Sequence, residues 1–336
     1  MRRWTWLLVM ALGCGKPADQ APPGPVASRA ADEDPPCDPK TPKVCLGDDV
    51  VACEPTGHLG RRLRACHHGC ARGKCKGSCT DEASKLIYLV DSANNFLSFD
   101  PRLLPGDPIR LIGRLTCEGG SGSPFSMSVD RSGIAWVTYD DGEMFKVDIA
   151  DAHCEPSGYV AHASGSTTFG MGFATDTPGS DSEHLYIAAD DASNALHAID
   201  TAHDVVPRRV GTIQPAANPN PELTGGSDAR LYGLFPESAG VAFVQEIDRA
   251  SGNALGPRLP LGTAPLGDVG AYAFAQWAGV FYIFVTTVDG GFDLNSTVRT
   301  LDRATGTYQT SREHLPFRIT GAGVSTCAPE RDAKSP

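Results

Sequence analysis

The sequence has no long hydrophobic run. Its most apolar stretch, Trp4 to Leu12, covers nine residues, against the roughly 20 that a membrane-spanning helix needs. Positive charge is in deficit as well. Against 40 Asp and Glu stand 29 Lys and Arg, a net charge of -11, which argues against a nucleic-acid partner held through its phosphates. Long amphipathic helical patterns are scarce after Lys85. The chain also lacks a G-x-S-x-G elbow, an H-E-x-x-H pair, a P-loop and an EF-hand loop, and with them the usual signatures of hydrolases, zinc proteases, nucleotide and calcium binders. At 41% hydrophobic and 21% charged residues it is nonetheless ordinary for a folded protein. Cysteine is what it has in abundance: eleven residues, an odd number that leaves one outside any complete set of disulfides.

The N-terminus supplies a place for the odd sulfur. Met1-Arg2-Arg3 is a short basic start, and the apolar run to Leu12 has the length of a signal-peptide h-region. Ala11-Leu12-Gly13-Cys14 resembles a bacterial lipobox, although Ala11 stands where that family usually has Leu. The resemblance implies cleavage after residue 13 and a diacylglyceryl group on Cys14, with Gly15 rather than Asp at the next position favouring the outer membrane. An ordinary signal peptide cut later is the competing reading. Residues 14–36 carry Pro17, Pro22, Pro23, Pro25, Pro35 and Pro36 and almost no large apolar side chain, the composition of an extended, flexible tether.

Cys37, Cys45, Cys53, Cys66, Cys70, Cys75 and Cys79 crowd residues 37–79 among repeated glycines. Val44, Leu46, Val50, Val51, Leu59 and Leu63 are too few to form an unassisted core, so covalent staples are expected. Val50-Val51-Ala52 reads as a strand that turns at Pro55-Thr56-Gly57. Zinc is the rival, because His58, His67 and His68 lie among the thiols. The C-x3-C-x4-C-x3-C spacing is not that of paired knuckles, and an oxidising compartment favours disulfides. The module holds eight basic and four acidic residues, whereas residues 80–336 hold 17 basic and 32 acidic ones. A basic neck thus precedes an acidic body. Acidic surface polysaccharide or the body itself could face the neck, although a solvated face is the simpler reading.

From residue 86 to 328 short apolar strands alternate with turn residues. Phe125–Asp130, Ile134–Tyr139 and Glu143–Asp148 are three strands joined by Arg131-Ser132-Gly133 and Asp140-Asp141-Gly142, the second an Asp-Gly hairpin signal. An outer strand over Cys154 to Val160 would complete a four-stranded blade. Echoes begin at Leu86, Leu185, Leu231 and Phe281, and each third strand ends in Asp: Asp100, Asp148, Asp200, Asp248 and Asp302. Asp248-Arg249-Ala250-Ser251-Gly252 and Asp302-Arg303-Ala304-Thr305-Gly306 are near copies. The period implies an all-β chain, a β-propeller of about five blades. Inner strands precede every unit but the first (Phe125–Val129, Phe169–Ala174, Glu222–Gly226, Ala271–Ala275), and Arg318–Cys327 is left over. The last strand is therefore expected to complete the first blade and close the ring, which removes open edges. Residues 329–336 read as a disordered tail.

The turn and strand Asp130–Val137 resemble repeats of NHL-like bacterial propellers. The lipobox region, the cysteines of Cys66–Cys75 and Gly321-Ala322-Gly323-Val324-Ser325-Thr326-Cys327 resemble predicted lipoproteins of myxobacteria with a Cys-rich module and a propeller-like body, a family that implies no activity. With Cys14 set aside, Cys117 and Cys154 end outer parts of consecutive blades and are candidates to pair. Cys79 and Cys327 are expected to form a clasp. Six cysteines then remain in the module, for which 15 pairings are open.

No cofactor or metal is expected. Asp289-Gly290-Gly291-Phe292-Asp293-Leu294-Asn295 carries oxygen ligands but reads as a hairpin loop. Phe169-Gly170-Met171-Gly172-Phe173 reads as a closely packed strand. Sugar-lactone-type propeller enzymes need carboxylates around an axial metal, and the five repeated aspartates sit at hairpin ends instead. Trp136, Tyr139, Trp277 and Tyr282 read as blade core. The expected function is that of a membrane-anchored extracytoplasmic lipoprotein. Its partners would be the lipid bilayer and an unidentified protein or glycan, with no nucleic acid. A propeller hydrolase or lyase acting on cell-surface carbohydrate is the alternative, and a purely structural envelope component a third reading.

Overall fold

The computed structural model describes residues 37–65, 69–71, 73–75, 79, 82–215, 221–237, 241–262, 268–289 and 293–330. The signal segment, Cys14, the tether, Cys66, His67, His68, residues 290–292 and residues 331–336 lie outside this set. Among the described residues there are five four-stranded sheets, one three-stranded sheet and one two-stranded sheet. The helical residues are two short 3-10 turns, and no helix is long and apolar enough to cross a membrane.

The module is built from β1 (Lys43–Leu46), β2 (Asp49–Cys53) and β3 (Leu59–Ala65), with β4 (Cys70–Ala71) paired to β5 (Lys74–Cys75). The β1–β2 turn passes through Gly47 at a φ of 61°, a conformation that glycine adopts without strain. Val50, Val51 and Cys53 are its buried core residues. That small core is stapled by Cys37–Cys53 and Cys45–Cys70, with Cα atoms 5.8 and 5.5 Å apart. These four sulfurs are in S–S bonds and so are not thiolate ligands for zinc.

The body contains the five larger sheets. The first comprises β25 (Ile319–Val324), β6 (Ile87–Asp91), β7 (Asn95–Phe99) and β8 (Ile109–Arg114), in that order. The second runs β9 (Pro124–Val129), β10 (Ile134–Tyr139), β11 (Met144–Asp148) and β12 (Cys154–Pro156). The third has β13 (Phe169–Thr175), β14 (Glu183–Ala189), β15 (Ala195–Ile199) and β16 (Pro207–Thr212). In the fourth are β17 (Glu222–Gly225), β18 (Leu231–Pro236), β19 (Ala242–Ile247) and β20 (Ala254–Pro260). The fifth holds β21 (Val269–Trp277), β22 (Val280–Asp289), β23 (Asp293–Asp302) and β24 (Tyr308–Leu315). All neighbours are antiparallel, and the last strand of the chain pairs with the first of the body, Val324 opposite Ile87. This is the arrangement of a β-propeller.

Successive sheets bury their faces against one another. Trp136 and Met144 of the second meet Phe169, Met171, Phe173 and Ile187 of the third. The innermost strands approach too closely for side chains at some positions. A Cβ on Gly170 would lie 2.3 Å from the Pro221 carbonyl oxygen, and one on Gly323 would lie 2.6 Å from Ser128 Cα. Contacts advance together along neighbours, Gly170 facing Pro221 and Glu222, Gly172 facing Thr224, so these strands run in the same direction. The glycines of Phe169–Phe173 thus serve strand apposition. The outer strand of the second sheet stops at Pro156 instead of reaching Val160, because Pro156 has no N–H to continue a ladder and Gly158 turns away at a φ of 85°.

The repeated aspartates have a local task. Oδ1 of Asp100, Asp148, Asp200, Asp248 and Asp302 accepts the N–H two residues ahead, at 2.8–3.1 Å. Each thereby fixes the turn into the outer strand, as Asx turns do. The near-copy motifs also bridge sheets. Arg249 donates to the carbonyls of Thr175 and Asp176 and lies 5.8 Å from the Tyr186 ring. Arg303 donates to Asp228 and lies 5.6 Å from the Tyr232 ring. Pro329 and Glu330, expected in the tail, are held to the body: Ala278 N–H donates to the Pro329 carbonyl, and Ser227 N–H to Glu330.

Replacing Gly170 by Ala forces the backbones of β13 and β17 apart and is expected to lower stability by about 1–3 kcal/mol. Urea unfolding reads this directly; a midpoint equal to that of the wild type would contradict the close apposition of β13 and β17.

Candidate functional site

The two ends of the innermost strands differ in chemistry. At the end where these strands begin, Glu222 opens β17 and is only 5% exposed. Its Oε2 accepts from Ser126 Oγ of β9 at 2.8 Å, and the Met171 N–H of β13 also bonds its carboxyl. Groups of three sheets therefore converge here, two side chains and the Met171 backbone N–H, beside Gly170. Burial pushes the Glu222 carboxyl up to about 8, opposed by the two hydrogen bonds and assisted by the charge of Asp190. Asp190 stands exposed at the rim, where it accepts from Thr168 Oγ1 at 3.3 Å. The Tyr272 hydroxyl feels both carboxylates, and burial first, then Glu222 and Asp190, push its pKa upward.

A protonated carboxyl between hydroxyls can donate as well as accept. It can bind a polar partner without placing a charge in a dry site, or deliver a proton as a general acid. Nothing in the sequence patterns singled out Glu222 for this. Its signal was a lone carboxylate opening the inner strand Glu222–Gly225, legible only once that strand was known to pack against β13.

At the other end, Glu183 accepts from Arg131 N–H at 2.7 Å and from Thr326 Oγ1 at 2.5 Å. Burial, and then the neighbouring Asp130, raise its pKa to about 8. Asp130 itself accepts from Ser132, from Ile134 N–H and from Trp136 Nε1. Nearby in sequence, Asp176 holds His184 Nδ1 at 2.6 Å.

Four further cysteines fall on the body and its junction with the module. Cys117 is joined to Cys154, with Cα atoms 5.1 Å apart. Cys79 is joined to Cys327, with Cα atoms 4.7 Å apart. Lys43 of β1 adds a hydrogen bond to the Ala202 carbonyl across the same junction. Trp136, Tyr139 and Tyr282 are buried, whereas Trp277 is half-buried with its indole N–H on the Lys85 carbonyl at 2.6 Å. Asp289 pairs with Asp293 across a hairpin. Among the described residues no group of three or more His, Cys, Asp or Glu is placed to hold a metal ion.

No protein family matches the chain, and no curated protein does. Among solved structures it is similar to a dihydro-heme d1 dehydrogenase (15% identity, 87% of this chain and 57% of that chain, TM-score 0.29). The chain thus spans little more than half the length of that enzyme. It is also similar to an endo-arabinase from Bacteroides thetaiotaomicron (11% identity, 60% and 84%, TM-score 0.41). A third is regucalcin, a calcium-binding protein from Agrobacterium tumefaciens (12% identity, 72% and 75%, TM-score 0.37). At these scores the likenesses assign no activity to this chain.

Glu222 and Glu183 both bind a proton more tightly when folded than at the ordinary carboxyl value of 4.5. Their contribution to stability is complete below that value and is lost as pH rises through about 8. Unfolding free energy should therefore decline across this interval, and the slope should shrink in Glu222→Gln and Glu183→Gln. A decline of unchanged slope in both variants would contradict the assignment.

Proposed function

We propose that this chain is an extracytoplasmic lipoprotein, anchored in the cell envelope through acylated Cys14. Its five sheets form a closed five-bladed ring that presents the Glu222 mouth to a protein or glycan partner. Two acyl-bearing positions on a diacylglyceryl group hold a protein firmly, since each buried CH₂ adds about 0.8 kcal/mol. The S–S bonds of the module and body fit an oxidising compartment. The Pro-rich segment ahead of Cys37 gives the body reach from the membrane.

The enclosed Glu222 carboxyl carries the binding reading. With Ser126 and the Tyr272 hydroxyl it offers mixed donors and acceptors at the end of the ring, which suits the hydroxyls of a glycan or the backbone of a peptide. The same group supports the second reading, a hydrolase or lyase acting on cell-surface carbohydrate, because a raised carboxyl pKa is what a general acid needs at neutral pH.

Membrane partition tests the anchor: wild-type protein should carry an acyl mass and pellet with membranes, and Cys14→Ser should be released. A Cys14→Ser protein that still pellets, beside an unmodified wild type, would overturn it. Binding of the Cys14→Ser chain to envelope polysaccharide tests the site. Removing the carboxyl that would bond the polysaccharide, Glu222→Ala should weaken binding by about ten-fold, since one hydrogen bond is worth about 1–2 kcal/mol. Glu222→Gln, which keeps a donor and an acceptor, should bind normally. Turnover of the polysaccharide that Glu222→Gln abolishes would replace the binding reading with the enzymatic one.

A further inference from the structure

The segment after β25 crosses the far end of the ring. Ser325 and Thr326 lead to Cys327, which is bonded to Cys79, and Thr326 donates to Glu183 of the third sheet. Pro329 accepts from Ala278 N–H, just beyond β21 of the fifth sheet. Glu330 then turns inward. Its Oε1 accepts from Ser227 N–H, in the turn between β17 and β18, at 3.1 Å and from Gln276 Nε2 of the fifth sheet at 2.8 Å. It lies so close to Gly226 that a Cβ there would fall 2.0 Å from Oε1. The carboxyl therefore sits directly against the backbone at the end of the ring.

The pairing leaves an imbalance. Gln276 is 1% exposed, and its Oε1 is buried with no donor; Oε2 of Glu330 is buried with none as well. An amide and a carboxyl joined through one N–H···O bond thus each retain a bare acceptor. Two buried acceptors without a donor are costly. A single proton on Glu330 cures both, because a carboxylic acid and an amide can form a ring of two hydrogen bonds, one in each direction.

We propose that Glu330 is a proton-dependent latch: protonated at Oε2, it donates to Gln276 Oε1, and the resulting acid–amide ring closes the far end of the ring axis. Loss of the proton to solvent leaves the electron pair on Oε2, restores two facing acceptors, and frees residues 328–330 while Cys327 stays tied. The charged groups facing the carboxyl oppose each other. Asp228 favours the proton; Arg303, 3.8 Å from Oε2, disfavours it, but that guanidinium is shared with Asp228 at 3.0 Å. Burial, with Asp228 next, raises the Glu330 pKa.

Glu330→Gln separates this from an ionised Glu330 held by Arg303. The glutamine carries both the donor and the acceptor of the protonated acid and cannot ionise. Hydrogen exchange of the full chain, corrected for intrinsic rates, reads the Ser227 and Ala278 amides. In the wild type their protection should fall at least ten-fold as pH rises from acid to mildly alkaline, because burial moves the carboxyl's loss of its proton upward. In Glu330→Gln it should stay high at every pH, and in Glu330→Ala it should be low at every pH. Wild-type protection that does not change with pH, or a Glu330→Gln protein as unprotected as Glu330→Ala, would overturn the latch.

Discussion

The pairing of β25 with β6 is the constraint on which the body depends. Every other sheet is built from strands consecutive in sequence, so each can form locally. The first sheet needs an inner strand from the opposite end of the chain, with Val324 opposite Ile87. Joining such distant segments costs loop-closure entropy and makes the fold rich in non-local contacts, which slows folding. The Cys79–Cys327 bond, spanning 248 residues, sits at this junction and offsets that cost by restricting the unfolded chain.

Close approach of the innermost strands has a second consequence. Glycine at positions 170, 172, 321 and 323 lets backbones meet, and the space that remains is lined by a few polar side chains. A carboxyl placed there is withdrawn from water and its pKa rises, as that of Glu222 does. One end holds buried Glu222 beside exposed Asp190; at the other, the segment that follows β25 is bonded to Glu183, Ala278, Ser227 and Gln276. The two ends of the body thus differ in chemistry.

Much of the fold was legible in the sequence because its signals are local. Alternating strands, the Asp-Gly hairpin and the aspartate closing each third strand repeat in order, and the Asx turns give the aspartate a physical cause. The leftover strand near Ile319 pointed to its partner by elimination. Alternation alone extends the outer strand near Cys154 too far, since it does not register a proline that interrupts the ladder. The chemistry at the ring interior was not legible. Glu222, Ser126 and Tyr272 lie far apart in sequence and belong to three different sheets, and a buried carboxyl looks like any other until the strands are assembled. Glu330 looks like part of a tail in the sequence because its partners, Ser227 and Gln276, are likewise remote.

The account rests on the two ends of the body acting as one joint. Denaturant unfolding of the Cys79→Ser/Cys327→Ser double variant, beside the wild type under non-reducing conditions, tests that joint most directly. The account predicts a single cooperative transition that is weaker by about 2–5 kcal/mol, the usual cost of losing a native disulfide. Unchanged stability, or a first sheet that unfolds apart from the other four, would contradict it.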